Sequence, residues 1–412
     1  MNGIDYLPRL ADRVLTEMLE DHAAVLVTGP RATGKTTTAA RQARSTFRLG
    51  VDREAAAVRA DPVAALRGSD EPILIDEWQI VPGVLSAVKV LVDTEPRRGR
   101  FVVTGSVRGD IDSPVWPGTG RLVRLSMFGL VEREIEGKLT GPTWLDQVLT
   151  GTVPTVSSRL DLRSYVERAL RGGFPESAIA MSVSARARWL ASYADQLVTR
   201  DAPDVDAGRD PQRLRRYLEA LALNSAGTVD DTTLYGAAQI SKDTARAYDR
   251  LLQNLLVIDK VPAWTSNRLK RLTLAPKRFL VDSGLLGATL RLTSDGVHRD
   301  GDLLGRLIET FVVAQLRAEL ALLPTSPRLH HLRTAEGRHE IDVVIEVGPR
   351  QVVAIEITAT SSPSADDARH LRWLRSELGD DAVVASIVLH SGPRTFPLDE
   401  RTVACPIASL WS

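Results

Sequence analysis

A chain of 412 residues, 43% hydrophobic and 25% charged, is too long for one core and has the make-up of an ordinary globular protein of about two to three domains. Its 52 Lys and Arg balance 52 Asp and Glu, which excludes a global pull toward nucleic acid or anionic membrane, so any such contact needs a local patch. One cysteine, Cys405, excludes an intrachain disulfide and a cysteine-based metal cluster; with charges in the N-terminal MNGIDYLPRLADRV and no apolar run of ~18 residues, a cytoplasmic protein without a membrane segment is expected.

From Tyr6 to Asp21, Leu7, Leu10, Val14, Leu15 and Leu19 recur near helical spacing and predict an amphipathic helix. Ala24–Ala43 then reads as a buried strand (Val25, Leu26, Val27), a Gly-rich loop and a helix opening at Lys35 or Thr36. Gly29-Pro30-Arg31-Ala32-Thr33-Gly34-Lys35-Thr36 fits G-x-x-x-x-G-K-[ST] at every fixed position. Glycines let the backbone wrap a phosphate with its N–H groups pointing inward, and a helix N-terminus adds partial positive charge. Lys35 is expected to reach the β- and γ-phosphates and the Thr36 hydroxyl to ligate Mg²⁺, so Gly29 through Thr37 form the candidate triphosphate-binding set.

Phe47–Val51 predicts a second strand ending at Asp52, and Ile73–Ile75 a third, closed by Asp76-Glu77. Carboxylates at a strand's C-terminal end lie where ligands sit in open α/β sheets. Asp76 is expected to hold Mg²⁺ opposite Thr36, and Glu77 to polarise the attacking water. After a helix over Val84–Asp93, Phe101–Thr104 predicts a fourth strand running into Gly105-Ser106. Thr104 or Ser106 then stands beside the γ-phosphate, with the choice between the two hydroxyls open. Leu122–Leu125 predicts a fifth strand; Arg108 and Arg121 are the arginines placed to approach the γ-phosphate, in cis or from a neighbouring subunit, and a surface role is as open.

A shift to Gly, Pro, Thr and Ser near residue 140 marks a first boundary. Helical runs follow through Asp161–Leu170 and a stretch carrying Trp189, Leu190, Tyr193 and Leu197 on one face, a core pattern. Three helical segments between Gln212 and Ile258, then strand-like VIDKVPAW and RLTLAPKRFLVD, have the pattern of a winged helix-turn-helix. Lys242, Arg246 and Arg250 share one helical face, and Arg268, Lys270, Arg271, Lys277 and Arg278 cluster in the hairpin. This local basic patch can contact DNA backbone, or serve as the solvated face of a packing module.

From Gly301 a separate α/β domain is expected, with an amphipathic helix over Gly305–Leu320 carrying Glu309, and strands carrying Asp342 and Glu356. An acidic helix residue with acids on two adjacent strands can hold a divalent metal for phosphodiester cleavage.

Taken in order, GPRATGKT, LIDEWQ, VVTGS, Gly120-Arg121, RGGFPE, VTRD, SKDTARAYDRLL, PKRFLVDSGL, GRLIETFVVAQL, HEIDVVIE and AIEIT resemble the prokaryotic AAA-type ATP-binding proteins with a C-terminal domain of unknown function related to the PD-(D/E)XK nuclease fold. The resemblance implies an α/β fold: a P-loop NTPase parallel sheet over 1–140, a helical and winged-helix-like domain over 141–300, and a nuclease-like α/β domain over 301–412. It implies ATP and Mg²⁺ as cofactors, Lys35 and Thr36 at the phosphate and metal positions, Asp76 and Glu77 as the second acidic motif, and Glu309, Asp342 and Glu356 as nuclease-type acids. The chain departs from that pattern where Glu-x-Lys is expected, because Thr358 follows Glu356-Ile357. Without that lysine the charge that stabilises a developing phosphorane is missing, and cleavage is not expected. The leading reading is an ATPase whose nucleotide state controls its C-terminal domains, with a protein partner or second copy; a DNA-associated nucleotide switch with little turnover is the second, and a metal nuclease the third.

Overall fold

The apolar runs of the first third, each followed by helix-compatible sequence, become one all-parallel sheet. Its strands are β1 (Ala24–Thr28), β2 (Ser45–Arg48), β3 (Ile73–Asp76), β4 (Phe101–Gly105) and β5 (Leu122–Ser126), in the order β2-β3-β4-β1-β5. All five residues of β1 and of β4 are buried, as strands covered on both faces must be, which is why they read as continuous apolar runs. Leu26, Ile73, Ile75 and Phe101 share one core cluster with Leu85, Val88 and Leu91 of the helix Val84–Thr94. The protein is described here from a computed structural model covering residues 6–106, 119–202, 210–266, 274–334 and 337–412. It forms two compact units, Met1–Leu130 with Gln253–Leu256, and Val131–Leu252 with Val257–Ser412.

Local chemistry moves several predicted limits. The first helix starts at Leu10, not Tyr6, because Pro8 disfavours helical geometry before it and Asp12 accepts the Arg9 N–H at 2.8 Å to close the first turn. The second strand ends at Arg48, since Gly50 and Val51 lead straight into the helix Asp52–Ala60. The helix after the Gly-rich loop spans only Lys35–Ala40, as the chain must already enter β2 at Ser45.

The second unit begins with helices, among them Leu162–Arg171, Val183–Gln196, Pro211–Leu223, Asp231–Ala237 and Lys242–Asn254, followed by an antiparallel pair, β6 (Ile258–Val261) and β7 (Lys277–Leu280). Two of the quoted motifs meet in one packing joint. Gly172 has φ +67°, and a Cβ there would lie 2.4 Å from an Asp282 carboxylate oxygen; Asp282 itself accepts the Gly173 and Leu285 N–H groups at 2.7 and 2.9 Å. RGGFPE and FLVDSGL are therefore architectural.

The helix Gly301–Leu320 precedes a six-stranded mixed sheet made of β8 (Arg328–Arg333), β9 (Glu340–Gly348), β10 (Gln351–Ile357), β11 (Val383–His390), β12 (Phe396–Pro397) and β13 (Thr402–Pro406), ordered β12-β13-β11-β10-β9-β8. β8, β9 and β10 are antiparallel neighbours, while β10, β11 and β13 run parallel. Leu371 and Leu374 of the helix Arg369–Leu378 pack on Ile341, Val352, Ala354 and Val388. Among the described residues no helix is long and apolar enough to cross a membrane.

Candidate nucleotide-binding site

The chain leaves β1 at Gly29 and turns beneath the segment that follows β5. A Cβ at Gly29 would stand 1.9 Å from the Met127 carbonyl oxygen, so only glycine passes here. Ala32 and Gly34 take left-handed backbone, φ 60° and 91°; at Ala32 this costs about 1–2 kcal/mol, which the surrounding bonds must offset. Those bonds are present: the Thr33 hydroxyl donates to Pro30 O at 2.9 Å, and Arg9 donates to Thr33 O at 2.9 Å and to Phe128 O at 3.0 Å. The loop is thereby pre-shaped, with Pro30 and Thr33 buried, Arg31 half-buried and Thr37 exposed on the first helical turn.

Lys35 is buried, and its ammonium donates to Pro30 O at 2.7 Å. Burial lowers it to about 8, with Glu77 and then Asp76 holding it up and Arg31 lowering it further. The sheet order brings the other groups alongside, because β3, β4 and β1 are consecutive neighbours and all end at the same edge. Asp76 Oδ1 accepts both the Thr36 hydroxyl at 2.6 Å and the Thr104 hydroxyl at 2.5 Å. Glu77 follows with φ 59°, its N–H 3.4 Å from Thr104 Oγ1. The Ser106 hydroxyl is 3.4 Å from Glu77 Oε2, so Thr104 meets Asp76 and Ser106 meets Glu77.

Sequence reasoning missed Gln79. Its amide donates to Glu77 Oε2 and lies 3.5 Å from the Ser106 hydroxyl, fixing the carboxylate's direction. Its proximity in LIDEWQ was the available signal, but a short 3-10 turn, Trp78–Ile80, is what swings it back over Glu77.

Arg121 is not brought to this site. It precedes β5, at the end of the sheet opposite the Gly-rich loop, a strand length of about 17 Å away. There its guanidinium pairs with Asp93 at 2.9 Å. Arg121→Ala is expected to leave ATP turnover of the dilute chain within about twofold of wild type, as for a surface substitution; a loss of orders of magnitude would restore a role across subunits. Arg108 lies outside the described residues.

The C-terminal acids do come together, in the second unit. Glu309 from the helix Gly301–Leu320, Asp342 from β9 and Glu356 from β10 converge, with Asp342 Oδ2 accepting the Ile357 N–H at 2.9 Å. Burial, with Asp342 beside it, pushes Glu309 up to about 8 against the pull of Lys277; burial and Asp342 likewise raise Glu356. Lys277 is the unexpected member. Read from sequence as part of a basic patch, it is buried, with its ammonium 2.9 Å from Glu309, 3.0 Å from Asp342 and 3.4 Å from Glu340. Arg278 is buried too, paired with Asp231. Neither can meet DNA, because the charges that a patch would offer are spent internally. Arg268, Lys270 and Arg271 lie outside the described residues, whereas Lys242, Arg246 and Arg250 are exposed along one helix.

Three segments of the chain match known family models. Residues 21–136 match the family model described as AAA domain, residues 162–296 a domain of unknown function (DUF8612), and residues 304–410 a domain of unknown function (DUF4143). Among solved structures, the Walker-type ATPase PABY2304 of Pyrococcus abyssi aligns at 13% identity over 70% of this chain and 97% of that one, with a TM-score of 0.39. The uncharacterized proteins Rv2008c of Mycobacterium tuberculosis (strain ATCC 25618 / H37Rv) and Mb2031c of Mycobacterium bovis (strain ATCC BAA-935 / AF2122/97) are each 30% identical over 396 residues, 95% of this chain and 82% of theirs. The chain belongs to the same family as these mycobacterial proteins, and its N-terminal part is an AAA-type P-loop ATPase domain.

Proposed function

We propose that the chain is a Mg²⁺-dependent ATPase of the cytoplasm whose nucleotide state controls its helical and C-terminal domains. One observation carries this reading: Thr36 and Thr104 converge on the same oxygen of Asp76, with Glu77 one residue on and Lys35 beside them. Thr36 and Asp76 offer the hard oxygen donors that suit Mg²⁺, which when bound neutralises charge developing on the phosphates. Lys35 exchanges its bond to Pro30 O for phosphate oxygens. Glu77, aimed by Gln79, orients the attacking water, and the hydroxyls of Thr104 and Ser106 report phosphate state. ATP is preferred over GTP because the sequence has no guanine-reading N-K-x-D. Boundaries near 140 and 300 separate the ATPase from the responding domains, the last of them nuclease-like in fold with Glu309, Asp342 and Glu356 retained and cleavage lost. Steady-state ATP turnover in Mg²⁺ against EDTA tests the reading.

A DNA-associated switch with little turnover is the second reading, favoured by the exposed stripe of Lys242, Arg246 and Arg250. If it is right, duplex DNA binds with an affinity that falls as salt rises, and Arg246→Ala weakens binding across all sequences. Fluorescence anisotropy with a labelled duplex that stays flat at low salt removes it.

A further inference from the structure

The charge arrangement around Lys277 has consequences for what the C-terminal acid cluster can bind. Glu309, Glu340 and Asp342 surround one ammonium at 2.9, 3.4 and 3.0 Å. Of the ammonium's three donors, one goes to Glu309 and one to Asp342, and Glu340 adds an ion pair. The radius of this shell, about 3 Å, is that of a nitrogen cation, whereas divalent metals hold oxygen at about 2.0–2.6 Å. Among the described residues no group of three or more His, Cys, Asp or Glu side chains is placed to hold a metal ion. Yet carboxylates are donors of a metal-binding kind, and one oxygen of the fourth acid, Glu356 Oε1, is buried with no hydrogen-bond partner.

We infer that the Lys277 ammonium is the resident cation of this cluster, standing in the place a divalent metal would otherwise take, so that the chain's own β7 closes the site to metal. The cluster is accessible, since Lys277, Glu309 and Asp342 all line a cavity of about 760 Å³, so burial alone does not keep ions out. What keeps them out is charge: a divalent ion approaching three carboxylates must also approach a fixed ammonium about 3 Å from each, and like charges at that range repel. The ammonium also ties β7, the helix Gly301–Leu320 and β9 together, three elements that the sequence alone leaves unconnected.

The test is Mn²⁺ binding by the nucleotide-free full-length chain, followed by the Mn²⁺ electron paramagnetic resonance signal in an Asp76→Asn background that silences the P-loop site. Without further change, no Mn²⁺ should bind at the C-terminal cluster. Lys277→Met should create one Mn²⁺ site per chain, at least about tenfold tighter than any residual binding, and Asp342→Asn added to it should abolish that site. If Lys277→Met is unfolded by circular dichroism, Lys277→Gln, which keeps a neutral polar end, replaces it. Binding in the Lys277 chain that disappears with Asp342→Asn overturns the inference, because the metal then coexists with the ammonium. A folded Lys277 variant that gains no Mn²⁺ overturns it equally, because the ammonium then fills no metal position.

Discussion

Lys35→Ala is expected to weaken nucleotide binding by about 10–150-fold, the equivalent of the ~1.5–3 kcal/mol carried by a hydrogen bond to a charged group. The lysine is buried and pre-aimed, its ammonium held on Pro30 O within the loop it serves. Replacing it removes the positive group without touching β1 or the glycine turns, so the sheet should keep its melting temperature while ATP affinity falls. The same lysine gives affinity a pH dependence of definite sign. Burial lowers Lys35 to about 8, so the ammonium that recognises phosphate is fully present below that pH and is lost as pH rises through it. Isothermal titration with a non-hydrolysable ATP analogue from pH 7 to 9 should show weakening toward the alkaline end in wild type and little change in Lys35→Ala. A wild-type affinity that strengthens with pH would contradict the assignment.

Glu77→Gln acts on a different step. The carboxylate sits past the end of β3 in left-handed backbone, φ 59°, where a side chain is thrown out of the strand line and into the edge shared with Thr104 and Ser106. Glutamine keeps the shape and the Gln79 contact but cannot accept a proton. General-base groups contribute about 10²–10⁴-fold, so turnover should fall by that factor while ATP binding stays within a few-fold of wild type. The variant should retain ATP through gel filtration under conditions in which wild type releases ADP. Loss of binding together with turnover would mean that Glu77 shapes the site rather than the chemistry.

How much of this was legible in the sequence follows from how local each requirement is. The turn of the Gly-rich loop was readable, because Gly29 and Gly34 answer to backbone requirements within eight consecutive residues. Asp76 and Glu77 were readable as the end of a short apolar strand, and the order β3-β4-β1 then placed Thr104 and Ser106 beside them. Arg121 was misplaced because a strand's two ends look alike in sequence; the parallel pairing of Ala24 with Leu122 sets it at the far edge. Lys277 was misread for a different reason. Beside Arg278 in a hairpin it looks like a solvated patch, and nothing nearby announces the acids 32 and 65 residues downstream that surround it. β12 escaped notice because it has only two residues, and β13 because it ends in Pro406 and lies parallel to β11, so its pairing is set by tertiary contact rather than by any period of its own.

ATP turnover by the purified full-length chain in Mg²⁺, measured beside Glu77→Gln and beside wild type in EDTA, tests the central claim most directly. Steady hydrolysis by wild type that falls at least about a hundredfold in both comparisons is the predicted result. Equal phosphate release by wild type and Glu77→Gln, or release untouched by EDTA, would contradict it.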